Sequence, residues 1–413
     1  MHTIIVGAGL AGLAAANILQ QNGHTFQIIE QANQVGGRVQ SSHIDGHIID
    51  HGFQVYLPAY EYGKLFFNYP SLDFQRFDPG SIVLYDKGFH EIVSDPLRKP
   101  FTIFSTLLSK VGSFSDKQRL LKLKGAARRF SKNTNVELPK QSTYDYLVDF
   151  GFGQEMIHNF FIPFFSGVFF DQKLETSARM FLYLYDKFAT SLASVPKGGM
   201  GELSKQLASV LPSDNIHLGH EVISINQKSV QVSSTKNFVG DNIILTTMSD
   251  ELVHKLAPGK AKLFQSSHTI YFEADEAPHA QKLVGIVAKK NSIVNNVSVM
   301  SNVNPDYAPA GKHQLAVSIF SKQFNSEIEA QIKHECKAWF GKQVEEWKVI
   351  TSFHIEKALP NQKTVKFDAN RQDVQVGDNI YLAGDGVLNG SINGALQSGK
   401  IAAELAMARE VRS

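Results

Sequence analysis

The chain has 413 residues, 43% of them hydrophobic and 19% charged, which is the composition of a folded soluble protein. At ~150 residues per domain, this is roughly two to three domains' worth of core. Its 41 basic and 39 acidic residues leave a net charge of +2, which argues against the concentrated basic face of a nucleic-acid binder and against a polybasic membrane tether.

The first apolar run, His2 to Val6, is rich in β-branched residues and bounded by glycine, so it reads as a buried parallel strand. Its lack of a basic leader separates it from a signal peptide. Gly7-Ala8-Gly9-Leu10-Ala11-Gly12 matches GxGxxG and opens a helix of small and aliphatic residues that Gly23 stops. A second strand, Phe26 to Ile29, ends at Glu30, 18 residues after Gly12. Gly7 permits the tight turn, Gly9 lets a pyrophosphate approach the backbone, and Gly12 lets helix and strand pack closely. The helix N-terminus offers free N–H groups to phosphates, and Glu30 stands where an acid accepts a bond from a ribose. A dinucleotide site follows from these pieces taken together.

Gly36-Gly37-Arg38 comes only six residues after that acid. Two glycines there bring backbone N–H groups to the pyrophosphate, and Arg38 can add a charged fork. Asp45-Gly46 between two alternating runs predicts a hairpin. His43, His47 and His51 would share a helix face, but in a strand-turn-strand their spacing has no metal geometry, and no metal is expected. The hairpin exit is Asp50-His51-Gly52-Phe53-Gln54.

Ten phenylalanines lie between Phe150 and Phe188, at 150, 152, 160, 161, 164, 165, 169, 170, 181 and 188. Phe164, Phe165 and Phe169 flank Pro163 and Gly167, where a helix is expected to break and line a cavity. Further on, Pro196 to Met200 introduces a helix over Glu202 to Leu211, and strands are predicted at Asn215 to Ile225 and Asn242 to Thr247. The single cysteine, Cys336, sits in an amphipathic helix around Glu327 to Trp339; it excludes an intramolecular disulfide and fits a reducing, cytoplasmic location. A last buried strand, Ile380 to Ala383, leads to Gly384-Asp385-Gly386. Ser391-Ile392-Asn393-Gly394-Ala395 then opens a helix to about Arg409, whose small residues Gly394, Ala395, Ser398 and Ala402 suit close packing on another backbone.

With its glycine motifs, its hairpin exit and its C-terminal Gly-Asp and helix start, the chain resembles the flavin amine oxidase and phytoene desaturase superfamily, which includes protoporphyrinogen oxidase-like members. The phenylalanine-rich stretch is similar to bacterial phytoene-dehydrogenase-like oxidoreductases. The resemblance implies an α/β fold: a Rossmann-like FAD-binding domain over residues 1–57, 196–250 and 371–413, with a discontinuous cap of sheet and helices over 58–195 and 251–370. It implies non-covalent FAD, held by Gly7, Gly9, Leu10, Ala11, Gly12, Glu30, Gln31, Gly37, Arg38, Gly52, Phe53, Gln54, Val222, Thr246, Gly384, Asp385, Asn393, Gly394 and Ala395. Val222 is placed at the adenine on a strand edge, and Thr246 and Thr247 where the chain turns beneath the cofactor. Asp385 is placed near the ribityl-pyrophosphate, and the last helix start at the flavin pyrimidine edge.

The expected activity is hydride transfer from a largely apolar, isoprenoid- or carotenoid-like substrate to flavin N5. No catalytic residue is selected; Lys289, Lys290 and Lys312 lie in the region where amine oxidases of the superfamily place a lysine, and Gln54 and Tyr56 are weaker candidates. The electron acceptor, O2, quinone or other, stays open, and membrane contact is peripheral at most. Rival readings are an amine or protoporphyrinogen-type oxidase, a redox-neutral enzyme resembling UDP-galactopyranose mutase, and a prenyl-group carrier resembling the Rab GDP-dissociation inhibitors.

Overall fold

A computed structural model describes residues 1–94, 111–136, 138–246 and 250–408. Its central feature is a five-stranded parallel sheet in the order Ile380–Leu382, Asn242–Leu245, His2–Val6, Thr25–Ile29, Ile216–His217. Buried on both faces, Ile4, Ile5, Ile28, Ile243 and Ile244 are fully inaccessible, as the continuous β-branched runs require. Strands remote in sequence are thus neighbours in space, and both glycine-rich strand exits open at the same end of the sheet.

The first helix, Leu10–Gln21, packs along the last one, Ile392–Met407. A Cβ on Gly399 would stand 2.1 Å from the Ala11 carbonyl oxygen, so these backbones meet at a distance only glycine allows. The small residues expected for this contact did not include Gly399. Ser398 acts on the preceding turn instead, where its hydroxyl accepts from Gly384 N (2.8 Å).

A second, seven-stranded sheet runs in the order Lys348–Pro360, Phe264–Ala274, His313–Ile319, Val294–Val299, Val284–Val287, Gly80–Leu84, His90–Ser94. Only the pairing of Val284–Val287 with Gly80–Leu84 is parallel. The pair Gly80–Leu84 and His90–Ser94 was not among the strands predicted from the sequence; Asp86–Gly88 supplies its turn. On one side the sheet is covered by Ser326–Phe340, which buries Cys336 beside Trp339 and Trp347. Helices Phe114–Lys132, Ile162–Phe169 and Ala178–Thr190 contribute to the larger core cluster.

Two local expectations are corrected. Asn215 to Ile225 is not one strand: Ile216–His217 belongs to the parallel sheet, and Ser224–Ile225 to a separate three-stranded antiparallel sheet. Gly219, at φ +70°, turns the chain out between them. The helix around Pro163 does not break there; a π-helical turn over Ile157–Phe161 runs straight into Ile162–Phe169 and widens the helix just ahead of Pro163. The break falls at Phe170, which adopts a left-handed backbone (φ 52°). Thr247 and Arg409 lie outside the described residues.

Candidate functional site: a dinucleotide cradle opening into an apolar chamber

At the strand exits of the parallel sheet the chain encloses a cavity of about 1520 Å³. That exceeds the ~300–1,000 Å³ of a single small-molecule site, leaving space for a cofactor and a second molecule.

The cradle is built from the glycines. Gly7 turns at φ +106°, and Gly9 caps the first helix with extended backbone (φ −74°, ψ 177°). A Cβ on Gly12 would lie 2.0 Å from the Gly7 carbonyl oxygen, whereas one on Gly9 would meet nothing within 4 Å. Gly12 therefore packs behind the turn and does not line the cavity, while Gly9 faces it. The second glycine pair lies directly against the first: Gly36 bridges to Gly9, Gly36 N donates to the Ala8 carbonyl (2.8 Å), and Gly37 turns at φ +58°. Glu30, buried at the end of its strand, accepts from Ala8 N (2.7 Å) and Ala32 N (2.9 Å). A carboxylate has about four lone-pair sites, so capacity remains for a ribose hydroxyl. Thr246 closes the floor, its hydroxyl 2.8 Å from the Val6 carbonyl and 3.0 Å from that of Gly7.

Arg38 and Asp385, 347 residues apart, form an ion pair at 2.6 Å. The second guanidinium nitrogen donates to the Ala358 carbonyl (2.7 Å). The fork expected to face a pyrophosphate is thus largely engaged by the protein itself. Gln54 donates to the Arg38 carbonyl (2.8 Å) and to that of His51 (3.1 Å), fixing the glycine turn from the hairpin exit. The last helix starts at the cavity wall, and its N-cap Ser391 accepts from Gly394 N (2.9 Å).

Of the expected cofactor residues, Gly7, Gly9, Leu10, Ala11, Glu30, Gln31, Gly37, Arg38, Gly52, Phe53, Gln54, Val222, Thr246, Gly384, Asp385 and Ala395 line this one cavity. Asn393 and Gly394 do not. Asn393 accepts from Tyr62 N (2.9 Å) and donates to the Tyr183 hydroxyl (2.9 Å), facing away from the cavity, and Gly394 packs against the Asn389 carbonyl. Val222 lines the wall from a loop rather than a strand edge. Tyr56 is fully buried, its hydroxyl 2.9 Å from that of Tyr69, and is not at the wall. Lys289, Lys290 and Lys312 are also away from it, and Lys312 pairs with Asp275 and Glu273. His43, His47 and His51 do not converge: His43 is exposed, His47 contacts Glu273 (3.0 Å), and His51 contacts Ser42 (2.7 Å) and stacks on Phe353. His51 lines the cavity, and burial lowers its pKa, which favours the neutral ring.

The other end of the cavity is apolar. Phe160, Phe164, Phe165, Phe170 and Phe188 line it, with Val284 and Ile286 from the seven-stranded sheet; Phe150, Phe152, Phe161, Phe169 and Phe181 are packing residues away from the wall. Phe164 meets Phe188 edge-on at 5.3 Å between centroids. Reading the sequence missed Tyr60, Asp78, Ser81 and Asn296 at the wall, because their positions depend on how remote strands align.

Glycine turns at the strand exits that open into a largely hydrophobic chamber suit a dinucleotide cofactor beside an apolar ligand. Residues 10–407 match the model for the flavin containing amine oxidoreductase family, and the chain belongs to that family. It is a flavin-dependent oxidoreductase whose cofactor is FAD. The residues fit the group: Gly9 and Gly384 leave open space where a Cβ would otherwise project, and two helix N-termini begin at the wall. The fold is similar to that of wild-type putrescine oxidase bound to putrescine, with a TM-score of 0.73, 17% identity, and coverage of 99% of this chain and 100% of that one. It is equally similar to a putative protoporphyrinogen oxidase from Exiguobacterium sp. 255-15, with a TM-score of 0.72, 15% identity, and coverage of 100% and 99%. A 65-residue stretch is 37% identical to 4,4'-diaponeurosporene oxygenase of Staphylococcus aureus, covering 16% of this chain and only 13% of that protein's length.

Proposed function

We propose that this enzyme removes a hydride from a largely apolar substrate of isoprenoid type, held in the phenylalanine-lined chamber against non-covalently bound FAD. The observation that carries this reading is the chamber itself, whose far end is walled by aromatic and aliphatic side chains. Bound FAD supplies a hydride acceptor at flavin N5. The chain's part is orientation and exclusion of water. Gly7 to Gly12, Glu30, Gly37 and Gly384 to Asp385 would hold the cofactor, and Gly52 to Gln54 would pass beside its ring. In domain terms, residues 1–57, 196–250 and 371–413 carry the cofactor and 58–195 with 251–370 form the cap. Cys336 supports non-covalent binding, since it is fully buried in the second core cluster, away from the cavity, with burial raising its pKa.

Substrate entry from a membrane surface is part of the proposal. Phe114 and Leu121 line the cavity yet are 66% and 58% exposed, on a helix that also carries Lys117, Arg119, Lys122 and Lys124. No helix among the described residues is long and apolar enough to cross a membrane. Co-sedimentation with anionic liposomes, lost in F114S/L121S, is the expected result; no sedimentation of the parent enzyme would remove the idea.

A second reading, oxidation of an amine, is favoured by the presence of an acidic residue, Asp78, at the cavity wall. Anaerobic bleaching of the flavin across isoprenoids, carotenoid precursors, porphyrinogens and amines separates the two. Bleaching by amines alone would refute the apolar reading.

A further inference from the structure

A pyrophosphate brings negative charge into the cradle, and the guanidinium expected to meet it is already committed: Arg38 pairs with Asp385 and donates to the Ala358 carbonyl. The last strand exit offers another source of positive charge. Gly384, at φ +124°, turns the chain there, and Val387 N donates to the Gly384 carbonyl (3.1 Å) to close the turn. Lys260, Lys262, Lys366 and Asp373 line the cavity at this exit. Three ammonium groups against one carboxylate give this set a surplus of positive charge.

Two of the three lysines are held by the protein. Lys366 is tied to the turn by its backbone N–H, which donates to the Leu388 carbonyl (2.9 Å), and its ammonium group pairs with Asp373. Lys260 donates to the backbone carbonyls of Gln372 (2.9 Å) and Asp373 (3.2 Å). Lys262 differs from both. The stem of its side chain lies against the turn, since a Cβ on Gly386 would stand 3.6 Å from the Lys262 Cγ. Its side chain is exposed, and among the described residues its ammonium group has no carboxylate or carbonyl partner. The backbone that carries it is nevertheless fixed on both sides. The Lys260 bonds clamp it before, and after it the Leu263 carbonyl accepts from Asn361 N (2.7 Å), where Phe264 pairs with Pro360. A rigid base, a stem laid on the turn and an uncommitted charge thus meet at one position of the cofactor cradle.

We propose that Lys262 is a phosphate-binding residue of the cofactor site, its ammonium group closing on the FAD pyrophosphate from the last strand exit and supplying charge that Arg38 does not. The proposal concerns the cofactor end alone and holds whichever substrate occupies the chamber. Lysine suits the position, because a point charge on a flexible stem can follow a phosphate that a guanidinium fork, fixed by its own partners, cannot reach. No ion pair has to break for the contact to form. A charge-assisted hydrogen bond at an exposed position strengthens binding by about tenfold, the low end of its range. Salt screens an exposed contact of this kind, so its share of the affinity fades as ionic strength rises.

The test is the rate of FAD release from the diluted holoenzyme, followed by flavin fluorescence at low and at high potassium chloride, for the parent, Lys262→Met and Lys262→Arg. Lys262→Met keeps the apolar stem and removes the charge; since the side chain is exposed and unpaired, the variant is expected to fold and load FAD. At low salt it should release FAD about tenfold faster than the parent. At high salt the two rates should converge, because the parent loses to screening what the variant already lacks. Lys262→Arg should stay near the parental rate at both salt concentrations. Parental release by Lys262→Met at low salt would overturn the proposal. So would a faster release that persists undiminished at high salt, which marks a structural defect, or one shared by Lys262→Arg. If Lys262→Met does not load FAD, Lys262→Gln takes its place and the same rates decide. Flavin bleaching by amines alone would end the apolar-substrate reading without moving any of these release rates, so the two failures are distinguishable.

Discussion

Gly9 and Gly12 share one turn, and replacing each by alanine should give opposite signatures. At Gly12 the new methyl would stand 2.0 Å from the Gly7 carbonyl oxygen and 3.1 Å from Thr246 Oγ1, so the turn or the helix must move. Overpacking of this kind costs about 1–3 kcal/mol, and the shift displaces the backbone that faces the cofactor. At Gly9 the methyl meets no protein atom within 4 Å, and φ −74°, ψ 177° suits alanine. Removing glycine's freedom in the unfolded chain gains ~0.4–1 kcal/mol. Alanine at a helix N-cap gives back ~0.5–1 kcal/mol. The net change in apo stability is therefore near zero, while the methyl stands where a pyrophosphate would approach. Apo-protein melting and FAD titration by fluorescence quenching separate the cases. Gly12→Ala should lower both apo stability and FAD affinity; Gly9→Ala should lower FAD affinity alone. A Gly9→Ala variant with parental FAD affinity would refute the placement of the phosphates over Gly9. Parental apo stability in Gly12→Ala would refute the close approach behind the turn.

Removing the cation in Arg38→Met leaves the Asp385 carboxylate, 6% exposed, without its partner. The expected loss in urea denaturation is about 3 kcal/mol, the low end for a buried pair because Arg38 is 30% exposed, and Asp385→Asn added to it should restore most of that. His51, His217, His268 and His279 all have pKa values lowered by burial. Below the ordinary value of 6.5 the unfolded chain then binds more protons, so stability should fall as pH drops from 7.5 to 5.5. His51→Gln should flatten that slope in thermal melts; a slope rising toward acid would contradict the sign. Phe161→Ala, in the fully buried core, should cost about 3–5 kcal/mol and leave the order of substrate preference unchanged. Phe164→Ala, at the chamber wall, should instead change which substrates bleach the flavin, and an unchanged order would remove Phe164 from the substrate surface.

How much could be read from the sequence follows the range of the interactions. Gly7 to Gly12 and Glu30 were legible because the turn, the close packing and the terminal acid are fixed within one βαβ unit. The Asp45-Gly46 hairpin was legible too, since both residues need positive φ, 48° and 80° here. Gly399 was not, because its reason is the Ala11 carbonyl of a helix nearly 400 residues earlier. Asn393 reads as a helix-start residue facing the cavity; only the positions of Tyr62 and Tyr183 turn it the other way. Among the phenylalanines, composition announced an aromatic region without separating Phe164 at the wall from Phe161 in the core. That separation depends on the phase of a helix containing a π-turn. Asn296 carries no sequence signal at all, since its place at the wall depends on how remote strands pair.

These long-range contacts also bear on how one cavity would serve both a cofactor and a substrate. The parallel sheet supplies the glycine turns, but nothing in it fixes where the chamber sits relative to them. Arg38 supplies that link. Its backbone carbonyl is held by Gln54 at the hairpin exit, one side-chain nitrogen by Asp385 at the last strand exit, and the other by the Ala358 carbonyl of the seven-stranded sheet. Tyr56, two residues beyond Gln54, exchanges backbone bonds of 2.7 and 2.9 Å with Ser194, close after the helix that carries Phe188. A displacement of the glycine turn is therefore transmitted to the chamber through short, bonded steps rather than across a flexible linker. Orientation of a C–H bond over a cofactor ring tolerates errors of well under 1 Å. A rigid junction of this kind is what such a tolerance demands, and it accounts for a side chain in the cofactor cradle being bonded mainly to the protein.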